Sequence, residues 1–122
     1  MRIIDFDHVN LAMPLGEEEK ARAFYGKVLG LAELEKPPAL KGRGGCWFTN
    51  GKLEVHLGIE DDFRPARRAH PAFLVEELGE LKARCQAAGH EVIDDDANPN
   101  YHRFFTNDPF GNRIECVERI EG

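Results

Sequence analysis

Four side chains in this 122-residue chain are the candidates to hold a metal ion: His8, His56, His70 and Glu115. Each sits among apolar neighbours, Phe6 and Val9, Val55 and Leu57, Ala72 and Phe73, Ile114 and Val117. Three imidazoles and one carboxylate suit a first-row divalent ion such as Zn, Ni, Fe, Mn or Co. A carboxylate in an apolar strand costs several kcal/mol unless a cation, a metal or strong donors compensate it. Glu115 therefore either faces solvent or serves a site. A lone histidine is more often an ordinary core or surface residue, so the weight rests on where the four recur.

They recur in a repeat. Arg2 to Ala12 alternates and reads as a strand. Glu17 to Leu29 reads as a helix with an acidic first turn and Gly30 as its stop. Its apolar positions Ala21, Phe24, Tyr25 and Val28 share one face. Leu31 to Glu35 is a short strand, Lys41 to Gly45 a flexible loop, and Cys46 to Thr49 and Leu53 to Ile59 are strands around an Asn50-Gly51 turn. After a polar, basic linker, Asp61 to Ala69, the order begins again. His70 to Val75 is a strand and Glu76 to Ala88 a helix with buried face Leu78, Leu81, Cys85 and Ala88. Glu91 to Ile93 is a short strand, Asp94 to Asn100 a solvated acidic loop, and Tyr101 to Glu118 a closing hairpin turning at Asp108 to Asn112. The letters repeat too, Trp47-Phe48-Thr49-Asn50 against Phe104-Phe105-Thr106-Asn107.

The predicted fold is therefore α+β: β-α-β-β-β written twice, about 1–60 and 68–119, in one domain over 1–122 with two curved sheets about a common metal-binding cavity. The first strand of each module carries His8 or His70, and the last carries His56 or Glu115. Glu54 shares the parity of His56 and is a reserve ligand. Asn10 lies on the face of His8, and Trp47 or Phe48 supplies an apolar wall. Tyr101 and Arg103 share a face of the penultimate strand. If that face is inward, Arg103 clamps a carboxylate or phosphonate beside the Tyr101 hydroxyl; if outward, both are solvated. Arg64, Arg67 and Arg68 read as solubilising linker residues, and His90 and His102 as surface residues.

Composition bounds the partners. Sixteen basic against 22 acidic residues give a net charge of −6 and a pI near 5.3, which argues against nucleic acid and anionic membranes. No apolar run approaches the roughly 20 residues a membrane helix needs. Cys46, Cys85 and Cys116 are widely spaced and odd in number, which favours packing thiols in a reducing cytoplasm over disulfides or a thiolate zinc site.

The pattern resembles the vicinal oxygen chelate superfamily, which includes glyoxalase I, fosfomycin- and bleomycin-resistance proteins and extradiol dioxygenases. The resemblance is carried by Asp7-His8-Val9-Asn10-Leu11, Phe24-Tyr25-Gly26-Lys27-Val28-Leu29-Gly30-Leu31, His70-Pro71-Ala72-Phe73 and Asp108-Pro109-Phe110-Gly111-Asn112-Arg113-Ile114-Glu115. It implies a divalent metal, a small-molecule substrate coordinated through vicinal oxygens, and a homodimer. The family's ligands fall on His8, His70 and Glu115, and Glu115 would double as the base in a lyase or isomerase. His56 stands where glyoxalase I usually has a glutamate. A ring-cleaving dioxygenase, a fosfomycin-type thiol transferase and a non-catalytic resistance protein that sequesters a small molecule are the alternatives.

Overall fold

The structure is a computed structural model that describes residues 1–120; residues 121 and 122, included in the expected domain, lie outside the described residues. The chain divides into two compact units, Met1–Arg64 and Pro65–Gly122. In the first, β1 (Val9–Met13) is followed by a helix, α1 (Glu18–Ala21), that continues in wider π-helical turns over Arg22–Val28. Then come β2 (Ala32–Leu34), a single turn α2 (Pro38–Lys41), β3 (Cys46–Thr49) and β4 (Glu54–Ile59). The strands form one mixed sheet in the order β1-β4-β3-β2, with β1 parallel to β4. The second unit repeats this with β5 (Ala72–Leu74), α3 (Leu78–Ala87), β6 (Ile93–Asp94), β7 (Tyr101–Asn107) and β8 (Arg113–Arg119), in the order β5-β8-β7-β6.

The helical face read from periodicity is the buried one: Ala21, Phe24 and Tyr25 are fully enclosed and Val28 nearly so. Phe24 meets Tyr25 edge to face at 4.9 Å, and Tyr25 stacks on Phe48 of β3 at 5.7 Å, which anchors the helix on its sheet. The Leu29 N–H reaches the Phe24 carbonyl at 2.9 Å and closes the last wide turn. In the second unit α3 starts later than expected. Glu77 has a left-handed φ of 57°, and the Glu118 carboxylate of β8 accepts the N–H groups of Glu77 and Leu78 at 3.0 and 3.2 Å. A strand carboxylate thus supplies the cap that the helix's own sequence lacks. Leu78 and Cys85 are buried, Leu81 is half-buried, and Ala88, expected inside, is exposed beyond the helix end.

Several boundaries shift for one physical reason: a strand needs a partner. The expected strand from Arg2 begins only at Val9, because β4 pairs with β1 over Val9–Met13 alone. Residues 1–8 are non-strand and exposed, Met1, Ile3, Ile4 and Phe6 among them. Likewise β5 begins at Ala72, so His8 and His70 both sit just ahead of a first strand rather than within it. The Asn50-Gly51 turn is a four-residue loop, since Thr49 pairs with Glu54; the Asn50 side chain accepts the N–H groups of Lys52 and Leu53 at 2.9 Å. The second hairpin is one residue longer, with Asn107 opposite Arg113. Its Asp108 carboxylate accepts the backbone N–H groups of Phe110 and Asn112, each at 2.9 Å, and Gly111 takes the turn at φ 91°.

That extra residue displaces the letter repeat. The pairings Asn10↔His56 and Trp47↔His56 in the first sheet answer to Ala72↔Glu115 and Phe105↔Glu115 in the second. Trp47 therefore corresponds to Phe105, not to Phe104 as the letters suggest, and Glu54 corresponds to Arg113. The three cysteines are free and buried. Burial pushes the thiols up, Cys46 to about 11 and Cys116 to about 12, so both are protonated at neutral pH and pack as small apolar groups.

Candidate functional site

In the first unit the expected site residues stack. The imidazole of His56 lies between two rings: the Trp47 indole at 3.9 Å and 5° on one side, and His8 at 4.0 Å and 17° on the other. The cross-strand pairing of β3 with β4 sets the first contact and the chain entering β1 sets the second. The His56 side chain is 10% exposed, and its Nε2 meets Oε1 of Glu54 at 2.9 Å. Two residues apart on one strand, these side chains share a face, so Glu54 holds the His56 ring from its edge. The Nδ1 of His8 lies 2.8 Å from Oδ1 of Asp7. Face to face, the in-plane lone pairs of His8 and His56 run side by side instead of converging. Both can bind one ion only if a ring turns out of the stack. Asn10 is exposed opposite His56, its amide lying over Gly58.

In the second unit the expected residues meet directly. The Nε2 of His70 lies 2.9 Å from Oε1 of Glu115, and its Nδ1 lies 2.9 Å from the Arg68 carbonyl oxygen. Both ring nitrogens thus face acceptors. A neutral imidazole has one N–H, so it can satisfy only one of them. With the N–H on Nε2 the ring donates to Glu115; with the N–H on Nδ1 it donates to the Arg68 carbonyl and turns the Nε2 lone pair toward Oε1. In the second tautomer a divalent cation would take the Nε2 lone pair and the carboxylate together. A ligating histidine is commonly fixed in this way, its remote N–H held by a carbonyl so that the other nitrogen is free for the ion. The donor chemistry therefore fits a divalent cation at Nε2 and Oε1.

Arg103 completes the cluster. Its guanidinium lies 3.1 Å from Asp95 Oδ2 and 3.5 Å from Glu115 Oε2, which is 12% exposed at the side chain. The Ala97 N–H, donating to Asp95 Oδ1 at 2.9 Å, and the Arg103 charge hold the Asp95 carboxyl below the usual range. Arg103 is thus shared between two carboxylates, and it orients Glu115. Tyr101, Arg103 and Phe105 occupy one face of β7, opposite the buried Phe104 and Thr106. Phe105 presents its ring to His70 at 5.6 Å, nearly perpendicular. The acidic loop read as solvated is ion-paired at two positions, Asp94 with Lys82 at 2.8 Å and Asp95 with Arg103. Sequence reasoning did not find Asp95, because nothing in a run of three aspartates marks which one turns toward a strand.

Among the described residues, no group of three or more His, Cys, Asp or Glu is gathered closely enough to hold an ion as the side chains stand. The pairs His8–His56 and His70–Glu115 are two donors each. A scan against family models matches residues 6–116 to the Glyoxalase/Bleomycin resistance protein/Dioxygenase superfamily. The chain belongs to that superfamily. A crystal structure of a glyoxalase family protein from Bacillus anthracis is 52% identical, covers 98% of both chains and superposes with a TM-score of 0.94. Two more distant structures share the fold alone. The fosfomycin resistance protein FosX from Listeria monocytogenes is 17% identical over 98% of this chain and 96% of its own, with a TM-score of 0.79. TnmS3, an antibiotic-binding protein from a Streptomyces species, is 21% identical over 97% of this chain and all of its own, at 0.72. No curated protein matches the sequence. Among the described residues no helix is long and apolar enough to cross a membrane.

Proposed function

We propose that this superfamily member is a metal-dependent enzyme, a lyase or isomerase acting on a small oxygenated substrate. Its metal donors are His8 and His56 in the first module and His70 and Glu115 in the second. The observation that carries the reading is the meeting of His70 Nε2 with Glu115 Oε1 at 2.9 Å, an imidazole and a carboxylate brought together at the register position that His56 holds in the first module. The matched registers of His56 and Glu115, with His8 and His70 each two residues ahead of the paired position, give the two modules equivalent donor pairs.

A divalent ion bound there supplies Lewis acidity, stabilising negative charge that develops on vicinal substrate oxygens. The chain's own residues do the rest. Glu115 is the base that takes a proton from carbon, held in place by Arg103, which itself is steadied by Asp95. The Arg68 carbonyl, accepting from His70 Nδ1, would turn the Nε2 lone pair to the ion. Trp47 and Asn10 contact the substrate on the side of His8, and Tyr101 offers a hydroxyl on the side of Arg103.

The test is metal content after purification without chelator, followed by thermal unfolding with and without EDTA. About one ion per chain and a lower melting temperature on chelation are the expected results. Zn, Ni or Co directs assays to isomerase and lyase substrates; Fe or Mn directs them to ring cleavage with O₂ or to thiol transfer. A protein that takes up no divalent ion at all overturns the reading in favour of a non-catalytic module that sequesters a small molecule.

The exposed Met1, Ile3, Ile4 and Phe6 ahead of β1 support a second proposal, that the protein works as a homodimer, and the three free thiols support its placement in the cytoplasm. Apolar side chains clustered over a few exposed residues mark an interaction surface more often than a solvated one. Light scattering on an eluting peak should give twice 13.8 kDa. A Phe6→Asp, Ile4→Asp variant should fall to the single-chain mass, and an unchanged mass would exclude this segment from the interface.

A further inference from the structure

A cavity of about 430 Å³ lies within the second unit, lined by Arg67, Arg113, Phe105, Ile93, Glu91 and Asn107 among others. We propose that it is an anion subsite, and that the substrate is a small acid whose carboxylate or phosphate group docks on Arg113 and Arg67. This rests on the proposed role of His70 and Glu115 for the position of the reacting atoms, but the anion contact itself does not.

Arg113 is the key. It is half-buried, and its guanidinium carbon lies over the Phe105 ring, 4.1 Å from the centroid. Cation–π stacking fixes the planar group in place while leaving its N–H edge available. The other two half-buried arginines have carboxylate partners: Arg22 has Glu19 and Glu33, and Arg103 has Asp95 and Glu115. Arg113 forms no ion pair among the described residues. Asp95 feels its field, but the Asp95 hydrogen bond goes to Arg103. A half-buried cation without a counter-charge is unfavourable unless an anion completes it.

The second cation is brought in by the backbone. The Arg113 N–H donates to the Ala66 carbonyl at 2.8 Å, and the Ala66 N–H donates to Asn112 Oδ1 at 2.9 Å. These bonds tie the segment before β5 to the start of β8 and put Arg67 on the cavity wall. Glu91 is the one acidic side chain named in the lining, and it is exposed, so two guanidiniums outweigh it. The Thr106 hydroxyl is committed to the Glu91 carbonyl at 2.6 Å, which leaves the Asn107 amide as the neutral donor.

Position then limits the substrate. Arg113 and Glu115 are two residues apart on one face of β8, a Cα separation of about 7 Å. A ligand with its reacting oxygens at Glu115 and its acidic group on Arg113 spans three or four bonds, the size of a short oxo- or hydroxy-acid. Ile93 and the Phe105 edge would cover its carbon chain.

Titration calorimetry with succinate and with inorganic phosphate, at low ionic strength on protein stripped of metal by chelator and then dialysed free of it, tests this directly. With any metal removed, binding reports the arginines alone. The wild-type protein should bind at least one of the two anions. Arg113→Gln should weaken it about tenfold or more, as expected for loss of a charge-assisted bidentate contact. Arg67→Gln, at an exposed position that folding does not need, should weaken it less, and Arg113→Lys should recover part of the loss. Glu115→Gln, which disables the proposed base, should leave anion binding intact, so failure of the metal reading and failure of this subsite give different results. Wild-type protein that binds neither anion, or binding unchanged in both Arg113→Gln and Arg67→Gln, overturns the proposal.

Discussion

Glu115→Gln is expected to lose at least tenfold in divalent metal affinity and two to four orders of magnitude in turnover once a substrate is found. The substitution conserves volume, so its effects isolate charge. Glu115 Oε1 faces His70 at 2.9 Å and Oε2 faces Arg103 at 3.5 Å. An amide at that position still accepts from Arg103 but brings no negative charge to an ion. Perturbing even the outer partners of a metal ligand typically costs about 10–100-fold in affinity, so replacing a ligand should exceed that. A positioned general base contributes about 10²–10⁴ in rate, which sets the expected loss of turnover. Stability should change much less, by about 1–3 kcal/mol, the cost of an imperfectly satisfied buried partner. Arg103 retains Asp95, so it is not stranded. The measurements are bound metal per chain, the melting temperature with and without EDTA, and turnover. Wild-type metal occupancy in Glu115→Gln or Glu115→Ala would sink the ligand assignment, whatever happened to the rate.

Much of this architecture is legible in the sequence because each level agrees with the next. The Ala21, Phe24, Tyr25 and Val28 stripe predicts a buried helix face and is one. Asp108 to Asn112 predicts a turn and forms one, with the aspartate caught by its own backbone. What escapes the sequence depends on partners distant in the chain. The alternation from Arg2 to His8 is as regular as that from Val9 onward, yet no strand of its unit lies opposite it. The start of α3 is decided by Glu118, 40 residues away from Leu78. The letter repeat misleads by one residue because the two hairpin loops differ by one residue. Only the pairings of His56 and Glu115 with their neighbouring strands reveal the true correspondence.

The side chains of the site divide on the same line. The shared face of Glu54 and His56 follows from strand parity alone, and the 2.9 Å contact is its consequence. That Trp47 would stack on His56 requires the register, since parity only places both on one side of the sheet. Arg103 reads as a clamp or as a solvated residue, and what the sequence does not show is its pairing with two carboxylates, one of them from a loop whose sequence signals only solvation. Arg113 carries no signal of its own in the sequence. Its chemistry depends on the Phe105 ring beneath it.

The other large effect concerns a residue with no side chain. Gly45→Ala should destabilise the protein by about 3 kcal/mol or more. Gly45 has φ +79°, a left-handed conformation that costs a residue with a Cβ about 1–3 kcal/mol. A Cβ built there would lie 2.0 Å from the Leu57 carbonyl oxygen, a backbone atom of β4 that cannot swing aside. The strand pair must open to admit it, at the point where Cys46 pairs with Leu57 and one residue from the Trp47–His56 stack. In a protein whose total stability is about 5–15 kcal/mol, that loss should lower the melting temperature by about 10 °C. Gly42→Ala is the control: its φ is −70° and nothing lies within 4 Å of the added atom. It should be neutral or stabilising by up to about 1 kcal/mol through the unfolded chain. Trp47 is the only tryptophan, so its fluorescence reports the stack on His56 directly. Gly45→Ala should change that emission under native conditions, whereas Gly42→Ala should not. Equal melting temperatures for the two variants would mean that β3 and β4 separate freely here, and the His56 position would then be set by Glu54 rather than by the packed sheet.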